Sequence, residues 1–206
     1  MAPPRKHQTD VILDAARALV LAGGPRAASV AAIAMSSGAP AGTLYHRFGN
    51  RDGILAAAWL RALERFQARA MAAGADAGAG APAETALDTA TAMAVSAISF
   101  ARELPEDARL LLTIRPGDLL DGEPDVTFQQ TLAAMNAPLS ERIGALARQL
   151  YGSSGPRSVD AVARAVVDLP YAVVRRHAHD EPMPSWLEAD VAASTRAILL
   201  SFGEGS

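Results

Sequence analysis

Apolar side chains recur at steps of three and four along nearly the whole chain, and this periodicity constrains the fold more than any other feature. Such spacing gathers them on one face of an α-helix, whereas a half-buried strand needs an alternation of two. The clearest stripe consists of Phe128, Leu132, Met135, Leu139, Ile143, Leu146 and Leu150. Breaks rich in glycine and proline separate this segment from others of the same kind. The sequence therefore predicts an all-α protein of about nine helices.

The first 50 residues contain three short helical patterns. Thr9 or Asp10 is a plausible N-cap for the first helix, and a Gly-Gly-Pro break at 23–25 ends it. Ser29 caps the second helix. The third runs from Pro40 to residue 48, since proline suits a first helical turn. The inward faces are formed by Ile12, Ala15, Ala16 and Leu19 in the first helix and by Val30, Ile33 and Ala34 in the second.

Longer helical patterns fill the rest of the chain, at residues 51–73, 88–102, 106–114, 126–151, 158–177 and 185–202. Pro138 and Pro170 lie inside two of them and are expected to kink or divide the helix, because proline lacks the N–H of the helical hydrogen bond. Residues 74–83, GADAGAGAPA, form a small-residue linker. We therefore expect a head at residues 1–50, a connecting helix at 51–73 and a body at 84–206.

Composition excludes several kinds of site. The chain of 206 residues has no cysteine, which excludes disulfides, thiolate metal sites and cysteine nucleophiles and fits a reducing compartment. Its first residues, MAPPRKHQTD, form no apolar signal segment, and no uncharged apolar run reaches the length of about 18 residues that a membrane span needs. We therefore expect a cytoplasmic bacterial protein without membrane contact.

The net charge of -3 conceals an asymmetry between the two ends of the chain. Residues 1–60 carry six basic and three acidic side chains, whereas the remainder carries 13 basic and 19 acidic ones. A basic end on an acidic body is typical of a phosphate-binding module attached to a part that does not bind nucleic acid. An uneven distribution of a small number of charges is the alternative.

Residues 29–48, SVAAIAMSSGAPAGTLYHRF, read as two short helices joined by a tight turn at Gly38. A helix-turn-helix uses this arrangement to place its second helix in the major groove of DNA. Leu44 and Phe48 lie four residues apart and are expected to face the core. The outward face then holds groups that can donate to phosphates or base edges, namely Thr43, Tyr45, His46 and Arg47. Gly42 would let the backbone approach the duplex closely.

The segment resembles the TetR family of bacterial transcriptional regulators in residue type and spacing over roughly the first 60 residues. The matching residues are ILDAA at 12–16, SVAAIA at 29–34, SG at 37–38, GTLYHRF at 42–48 and the pair Arg51-Asp52. The resemblance implies that Ser29, Thr43, Tyr45, His46 and Arg51 contact DNA, with Ser29 and Arg51 on phosphates. It also implies a body that binds a small molecule and forms a dimer, although only helix count and order continue the likeness beyond residue 73.

The proposed DNA contacts have simpler alternatives. Ser29 can serve only as a helix cap, Tyr45 can pack its ring over the turn, and His46 and Arg47 can be solvated surface groups. At residues 39–41, Ala-Pro-Ala stands where relatives often carry a polar or lysine side chain for base reading. Base readout then depends on Thr43, Tyr45 and Arg47, or on an N-terminal arm that enters the minor groove, with a disordered tail as the alternative. The arm consists of Arg5, Lys6 and His7.

The body carries large side chains that can either line a pocket for a small apolar ligand or form plain core. These are Trp59, Met93, Phe100, Leu111, Met135 and Tyr171. The last two helical patterns resemble the pair that forms a four-helix bundle across the TetR dimer interface; an intramolecular hairpin is the alternative. Candidate interface residues are Val162, Val166, Leu169, Val173, Val191 and Ile198. A dimer would match the two half-sites of a palindromic double-stranded DNA operator.

Residues 175–180, RRHAHD, come nearest to a metal site, but histidines two apart do not share a helix face, so we expect no metal. The chain shows no P-loop, nucleophile elbow or paired His/Asp motif. We therefore predict a DNA-binding regulator that is not an enzyme and needs no cofactor, most simply a repressor released by a small ligand. The alternative is a ligand-binding or scaffold protein that has lost operator recognition.

Overall fold

The computed structural model describes residues 5–75, 82–120 and 126–204, and every regular element in that part of the chain is helical. The helices are α1 (Arg5–Gly23), α2 (Val30–Ser37), α3 (Ala41–Phe48), α4 (Arg51–Ala75), α5 (Pro82–Glu103), α6 (Pro105–Thr113), α7 (Pro116–Leu119), α8 (Val126–Tyr151), α9 (Pro156–Ala163), α10 (Leu169–His177) and α11 (Leu187–Glu204). A 3₁₀ turn at Pro25–Ala27 precedes α2, and a π-helical segment at Arg164–Asp168 joins α9 to α10. The all-α prediction is confirmed.

Some helix bounds differ from those expected. α1 begins at Arg5 and not after a cap at Thr9 or Asp10, because no glycine or proline lies between Arg5 and Ile12 to interrupt the helix. α5 begins at Pro82, earlier than expected, and the predicted loop after residue 114 contains the short helix α7. The predicted linker at 74–83 lies mostly outside the described residues; its first two residues end α4 and its last two begin α5.

The two internal prolines behave differently. α8 continues through Pro138, where the side chains of Ala134 and Pro138 are both exposed, so water can satisfy the carbonyl that loses its partner. Pro170 lies in the first turn of α10, directly after the π-helical segment. A π-type turn inside a helix interrupts the regular α-helical hydrogen bonding, in keeping with the N–H that Pro170 lacks. The expected division therefore occurs at Pro170 but not at Pro138.

The first compact unit consists of Met1–Glu64 and Glu106–Leu132. Its core joins the first four helices to α6, α7 and the start of α8, and the largest fully buried members are Ile12, Ile33, Leu44, Ile54, Leu55, Leu110 and Leu119. Trp59 donates its indole N–H to the carbonyl oxygen of Ile114 at 3.1 Å, and its ring centroid lies 6.2 Å from that of Phe128. The expected inward faces of α1 and α2 are confirmed.

The second compact unit consists of Arg65–Pro105 and Ala133–Ser206. Small residues dominate its core and allow the helices to pack closely. The buried members include Ala86, Ala90, Met93, Leu146, Ala147, Val162, Ala165 and Leu199. Phe66 and Phe100 meet edge to face, with centroids 5.4 Å apart. Among the described residues, no helix is both long and apolar enough to span a membrane.

Candidate nucleic-acid interface

The start of α2 is capped as the sequence predicts. Ser29 has an extended backbone, and its Oγ accepts a hydrogen bond from the N–H of Ala32 at 3.1 Å. Ser29 is exposed. A helix leaves its first N–H groups without intrahelical partners and carries positive charge there, so an exposed N-terminus favours an anion such as a phosphate. The cap and a phosphate contact are compatible roles for Ser29.

The turn between α2 and α3 depends on Gly38. Its φ of 68° lies in the left-handed region, which side chains other than glycine adopt only with strain. Ser37 supports the turn, because its Oγ accepts the N–H of Ala39 at 3.3 Å. Pro40 then occupies the N-cap position of α3 in an extended conformation that suits proline.

α3 presents a mixed polar and apolar face to solvent. Leu44 is fully buried and Phe48 half-buried, whereas Tyr45 is 54% exposed and His46 is also exposed. Thr43 is half-buried at the edge of this face. A Cβ placed on Gly42 would meet nothing within 4 Å, so open space surrounds that position. Ala41, Gly42, Tyr45 and His46 form what we call the α3 face.

Arg47 and Arg51 are engaged with protein groups. Arg47 donates to Oγ1 of Thr9 at 2.9 Å and thereby joins α3 to α1. Arg51 donates from Nε to the carbonyl of Ala28 at 3.2 Å, from Nη2 to the carbonyl of Pro25 at 2.5 Å and from Nη1 to Asp52 at 2.8 Å. Helical periodicity predicts neither set of contacts. Apart from Asp52, the partners of these two arginines lie 23 to 38 residues away along the chain.

The junction between α3 and α4 is tightly packed at Gly53. Asn50 accepts the N–H of Gly53 on its Oδ1 at 2.8 Å, as an N-cap does. A Cβ added to Gly53 would lie 2.0 Å from the carbonyl oxygen of Phe48, which belongs to the last turn of α3. Only glycine permits this approach. Neither role was predicted from the sequence, although an asparagine directly before an expected helix start is a recognised cap signal.

A cluster of charges joins α1, α4 and α6 inside the first unit. Arg61 pairs with Asp10 at 3.0 Å and with Asp14 at 2.5 Å. Arg17 pairs with Glu106 at 2.5 Å and with Asp107, whose side chain is only 1% exposed. Burial by itself lowers the pKa of Arg17, but the hydrogen bond and charge of Asp107, with the neighbouring carboxylates, outweigh it and raise that pKa above its ordinary value.

Two other sequence expectations concern the DNA surface. Arg5 and Lys6 lie in the first turn of α1 and so do not form an extended arm; their side chains are outside the described part of the structure. Ala41 is exposed at the start of α3, with Pro40 exposed beside it. The N-terminal end of α3 is therefore apolar, as the sequence indicates.

The six candidate pocket residues divide between the two units. Trp59 and Leu111 pack in the core of the first unit. In the second, Met93 belongs to the core and Phe100 is buried against Phe66. Met135 is half-buried, whereas Tyr171 is 45% exposed. Their role in ligand binding stays a prediction.

An open cleft of about 450 Å³ lies between α10 and α11 in the second unit. Three candidate interface residues line it, namely Leu169, Val173 and Val191, together with Trp186, whose side chain is 53% exposed. Val162 and Val166 are buried in the unit's own core, and Ile198 is half-buried beside it. Other exposed apolar residues of α11 and the π-helical segment are Val167 and Leu200.

The histidine-containing run at the end of α10 forms an ordinary surface contact. Nδ1 of His177 lies 2.6 Å from Oδ2 of Asp180, and its ring meets Trp186 edge-on at 5.7 Å between centroids. Within the described residues, no group of three or more His, Asp and Glu side chains is placed to hold a metal ion.

Residues 12–58 match the sequence model of the family described as "Bacterial regulatory proteins, tetR family". This match contains α2, α3, the turn between them and the start of α4. Among the curated proteins compared with the chain, none matches it.

Solved structures of similar fold cover almost the whole chain. A TetR-like transcriptional regulator from Rhodococcus sp. RHA1 is 20% identical with a TM-score of 0.68, and the alignment covers 100% of both chains. The fatty acid degradation regulator FadR from Bacillus halodurans is 15% identical with a TM-score of 0.67, over 93% of this chain and 97% of that one. FadR from Bacillus subtilis in complex with stearoyl-CoA is 15% identical with a TM-score of 0.61, over 96% and 98%. At these identities the likeness shows a shared fold.

Proposed function

We propose that this chain, whose residues 12–58 match the sequence model of the TetR family of bacterial transcriptional regulators, is a homodimeric repressor released from its operator by a small apolar ligand. The carrying observation is the α3 face, which presents Tyr45 and His46 to solvent next to the capped start of α2. Such a regulator acts on the nucleoid in the bacterial cytoplasm.

Binding to DNA from the neighbourhood of the chain's own gene tests the proposal. Footprinting is expected to reveal a palindromic site, and gel shifts with Tyr45→Ala and His46→Ala are expected to show affinity lowered roughly tenfold or more, as for lost base or phosphate contacts. His179→Ala is the matched control, because His179 is an exposed histidine of the second unit. Equal affinity of all three variants and the wild type would contradict the proposed docking surface.

The cleft between α10 and α11 supports the dimer. It is lined by Leu169, Val173 and Val191, and the exposed ring of Trp186 stands at its side. A cleft lined by buried and half-buried apolar side chains, with an exposed tryptophan ring beside it, is a candidate protein–protein interface. A second copy related by two-fold symmetry would cover it, and the dimer would then carry two α3 faces, one for each half-site of an operator.

Sedimentation measures the assembly directly. Val173→Asp places a charge in the cleft and is expected to yield folded monomers that bind the operator weakly, because a buried unpaired charge opposes association. Val126→Asp is the control, since Val126 is 67% exposed and belongs to the first unit. Circular dichroism verifies that each variant is folded. A dimeric Val173→Asp protein would refute this interface.

Long-chain acyl thioesters are the first ligands to test. The support is the fold likeness to FadR, one structure of which is a complex with stearoyl-CoA, and the apolar composition of the candidate pocket residues. Adding stearoyl-CoA to the protein–operator complex is expected to release the DNA, whereas coenzyme A alone is not. Retention of the complex with stearoyl-CoA would exclude this ligand class and leave other small apolar molecules to be screened.

The second candidate function is a ligand-binding or scaffold protein without operator recognition. The observation that favours it is the exposed Pro40 and Ala41 at the start of α3, which offer no hydrogen-bond donor side chain to a base. Sequence-specific binding through several phosphates falls steeply with salt. Weak binding that does not distinguish a genomic neighbour sequence from random DNA would favour this alternative.

A further inference from the structure

We propose that Arg51 is a positioning residue of the DNA-binding surface, which acts through the backbone ahead of α2 and does not itself contact phosphate. This inference rests on the proposed function, since it concerns how the DNA surface is held. It departs from the expectation, drawn from the family resemblance, that the residue at this position touches DNA. The reason lies in where the guanidinium group points.

The guanidinium group of Arg51 fastens the start of α4 to the segment before α2. Its Nε donates to the carbonyl of Ala28 at 3.2 Å and its Nη2 to the carbonyl of Pro25 at 2.5 Å. The side chain is only 16% exposed, and Asp52 at 2.8 Å offsets its charge. An arginine whose planar fork is committed to two carbonyls and a carboxylate is poorly placed to reach a phosphate as well.

The two carbonyls belong to the segment that sets the position of the Ser29 cap. Ala28 is fully buried, and its carbonyl belongs to the peptide group that leads directly into Ser29. The carbonyl of Pro25 also accepts the N–H of Ala28 at 3.2 Å. Arg51 therefore holds both ends of this turn, and Ser29 follows from it with its extended backbone and capped helix.

Lysine at residue 51 separates positioning from contact. A lysine ammonium is a compact point charge that can replace an arginine at a single phosphate, but it cannot reproduce a planar fork shared among three acceptors. A contacting residue is thus rescued by Arg51→Lys, whereas a positioning residue is not. The salt dependence of binding gives a second criterion, because each neutralised phosphate contributes about 0.9 to the slope of log affinity against log salt.

The experiment compares the wild type, Arg51→Lys, Arg51→Ala and Arg164→Ala on the footprinted operator at several salt concentrations. Arg164→Ala is the control, because Arg164 is an exposed arginine of the second unit. Both Arg51 variants are expected to lose about tenfold in affinity, the factor for one charged hydrogen bond, with the wild-type slope. A slope lowered by about 0.9 in Arg51→Ala, with affinity restored by Arg51→Lys, overturns the proposal.

Amide hydrogen exchange of the DNA-free protein tests the same inference without an operator. Loss of the Arg51 contacts is expected to speed exchange at the N–H of Ala32, which the Ser29 cap protects, at least severalfold in both Arg51 variants and not in Arg164→Ala. Unchanged exchange overturns the positioning role. Absence of sequence-specific DNA binding by the wild type would instead refute the proposed function, so the two failures are distinguishable.

Discussion

Replacing Gly53 by alanine is expected to destabilise the protein, against the usual rule for helices. Alanine in a helix interior is normally more favourable than glycine by about 1 kcal/mol. At Gly53, however, the new Cβ would lie 2.0 Å from the carbonyl oxygen of Phe48 and 3.1 Å from its carbonyl carbon. Backbone atoms cannot rotate away as a flexible side chain does, so α3 and α4 must separate by roughly 1 Å to restore ordinary contact distances.

The magnitude follows from these two opposed effects. Overpacking of this kind costs about 1 to 3 kcal/mol, which exceeds or cancels the gain in helix propensity. The net change in the free energy of unfolding is then a loss of about 0 to 2 kcal/mol. The displaced helix carries the α3 face, so the free energy of DNA binding is expected to change more than the free energy of unfolding. Each lost DNA contact is worth about 1 to 3 kcal/mol, which corresponds to roughly a tenfold or greater fall in affinity.

Gly144→Ala is the matched control. Gly144 lies inside α8, and a Cβ there would meet nothing within 4 Å. This variant is expected to gain up to about 1 kcal/mol, which corresponds to a rise in Tm of about 2 to 4 °C for a chain of this size. Urea unfolding and operator titration measure both variants. A Gly53→Ala protein as stable as Gly144→Ala, with wild-type operator affinity, would refute the argument.

Three further outcomes are expected. Arg17→Ala should lower the free energy of unfolding in urea by about 1.5 to 3 kcal/mol, because the buried Asp107 loses the charged hydrogen bond from Arg17; a change as small as that of the exposed pair in Arg164→Ala, within about 1 kcal/mol, would contradict this. Gly42→Ala should leave stability unchanged or slightly higher while weakening operator binding, since its Cβ enters the open space of the α3 face; equal affinity would show that DNA does not approach there. Glu103→Gln should reduce the fall in Tm at acid pH. The hydrogen bond and charge of Arg69 lower the pKa of Glu103 in the folded protein below its ordinary 4.5. The ionised Glu103 therefore stabilises the folded protein above pH 4.5, and this contribution is lost as the pH falls through the pKa of the folded state. A fall in Tm at acid pH equal to that of the wild type would contradict the last expectation.

The sequence predicted the helices better than their connections. Steps of three and four located each long helix, and the four-residue spacing of Leu44 and Phe48 correctly placed Leu44 on the buried side of α3 and Tyr45 on the exposed side. Helix ends were less accurate, because Arg5 begins α1 ahead of the expected capping residues and Pro82 begins α5 inside a small-residue stretch that was interpreted as a linker. Pro138 did not divide α8, since its exposed position lets water replace the missing hydrogen bond.

The arginine roles could not be predicted from sequence alone. A family pattern identifies Arg51 by its position. The direction of its guanidinium group, however, depends on the carbonyls of Ala28 and Pro25, which lie 23 and 26 residues away along the chain. Arg47 likewise turns to Thr9 at a separation of 38 residues. Local periodicity records which face a residue occupies and carries no information about such distant acceptors. The pairing of Arg17 with Asp107, 90 residues apart, escaped prediction for the same reason.

The first unit contains segments from two parts of the chain, and this limits how a DNA-binding unit can be exchanged between regulators of this architecture. Its single apolar core includes Leu110, Leu119 and Phe128 together with the helices that precede residue 64. If only the first 64 residues were transferred to another regulator, the apolar surface that these three side chains cover would be exposed. The recipient protein would have to supply other apolar side chains to cover it. To exchange DNA specificity between such proteins, residues 106–132 must therefore be transferred together with the first 64 residues, or the recipient must already have side chains that complete the same core.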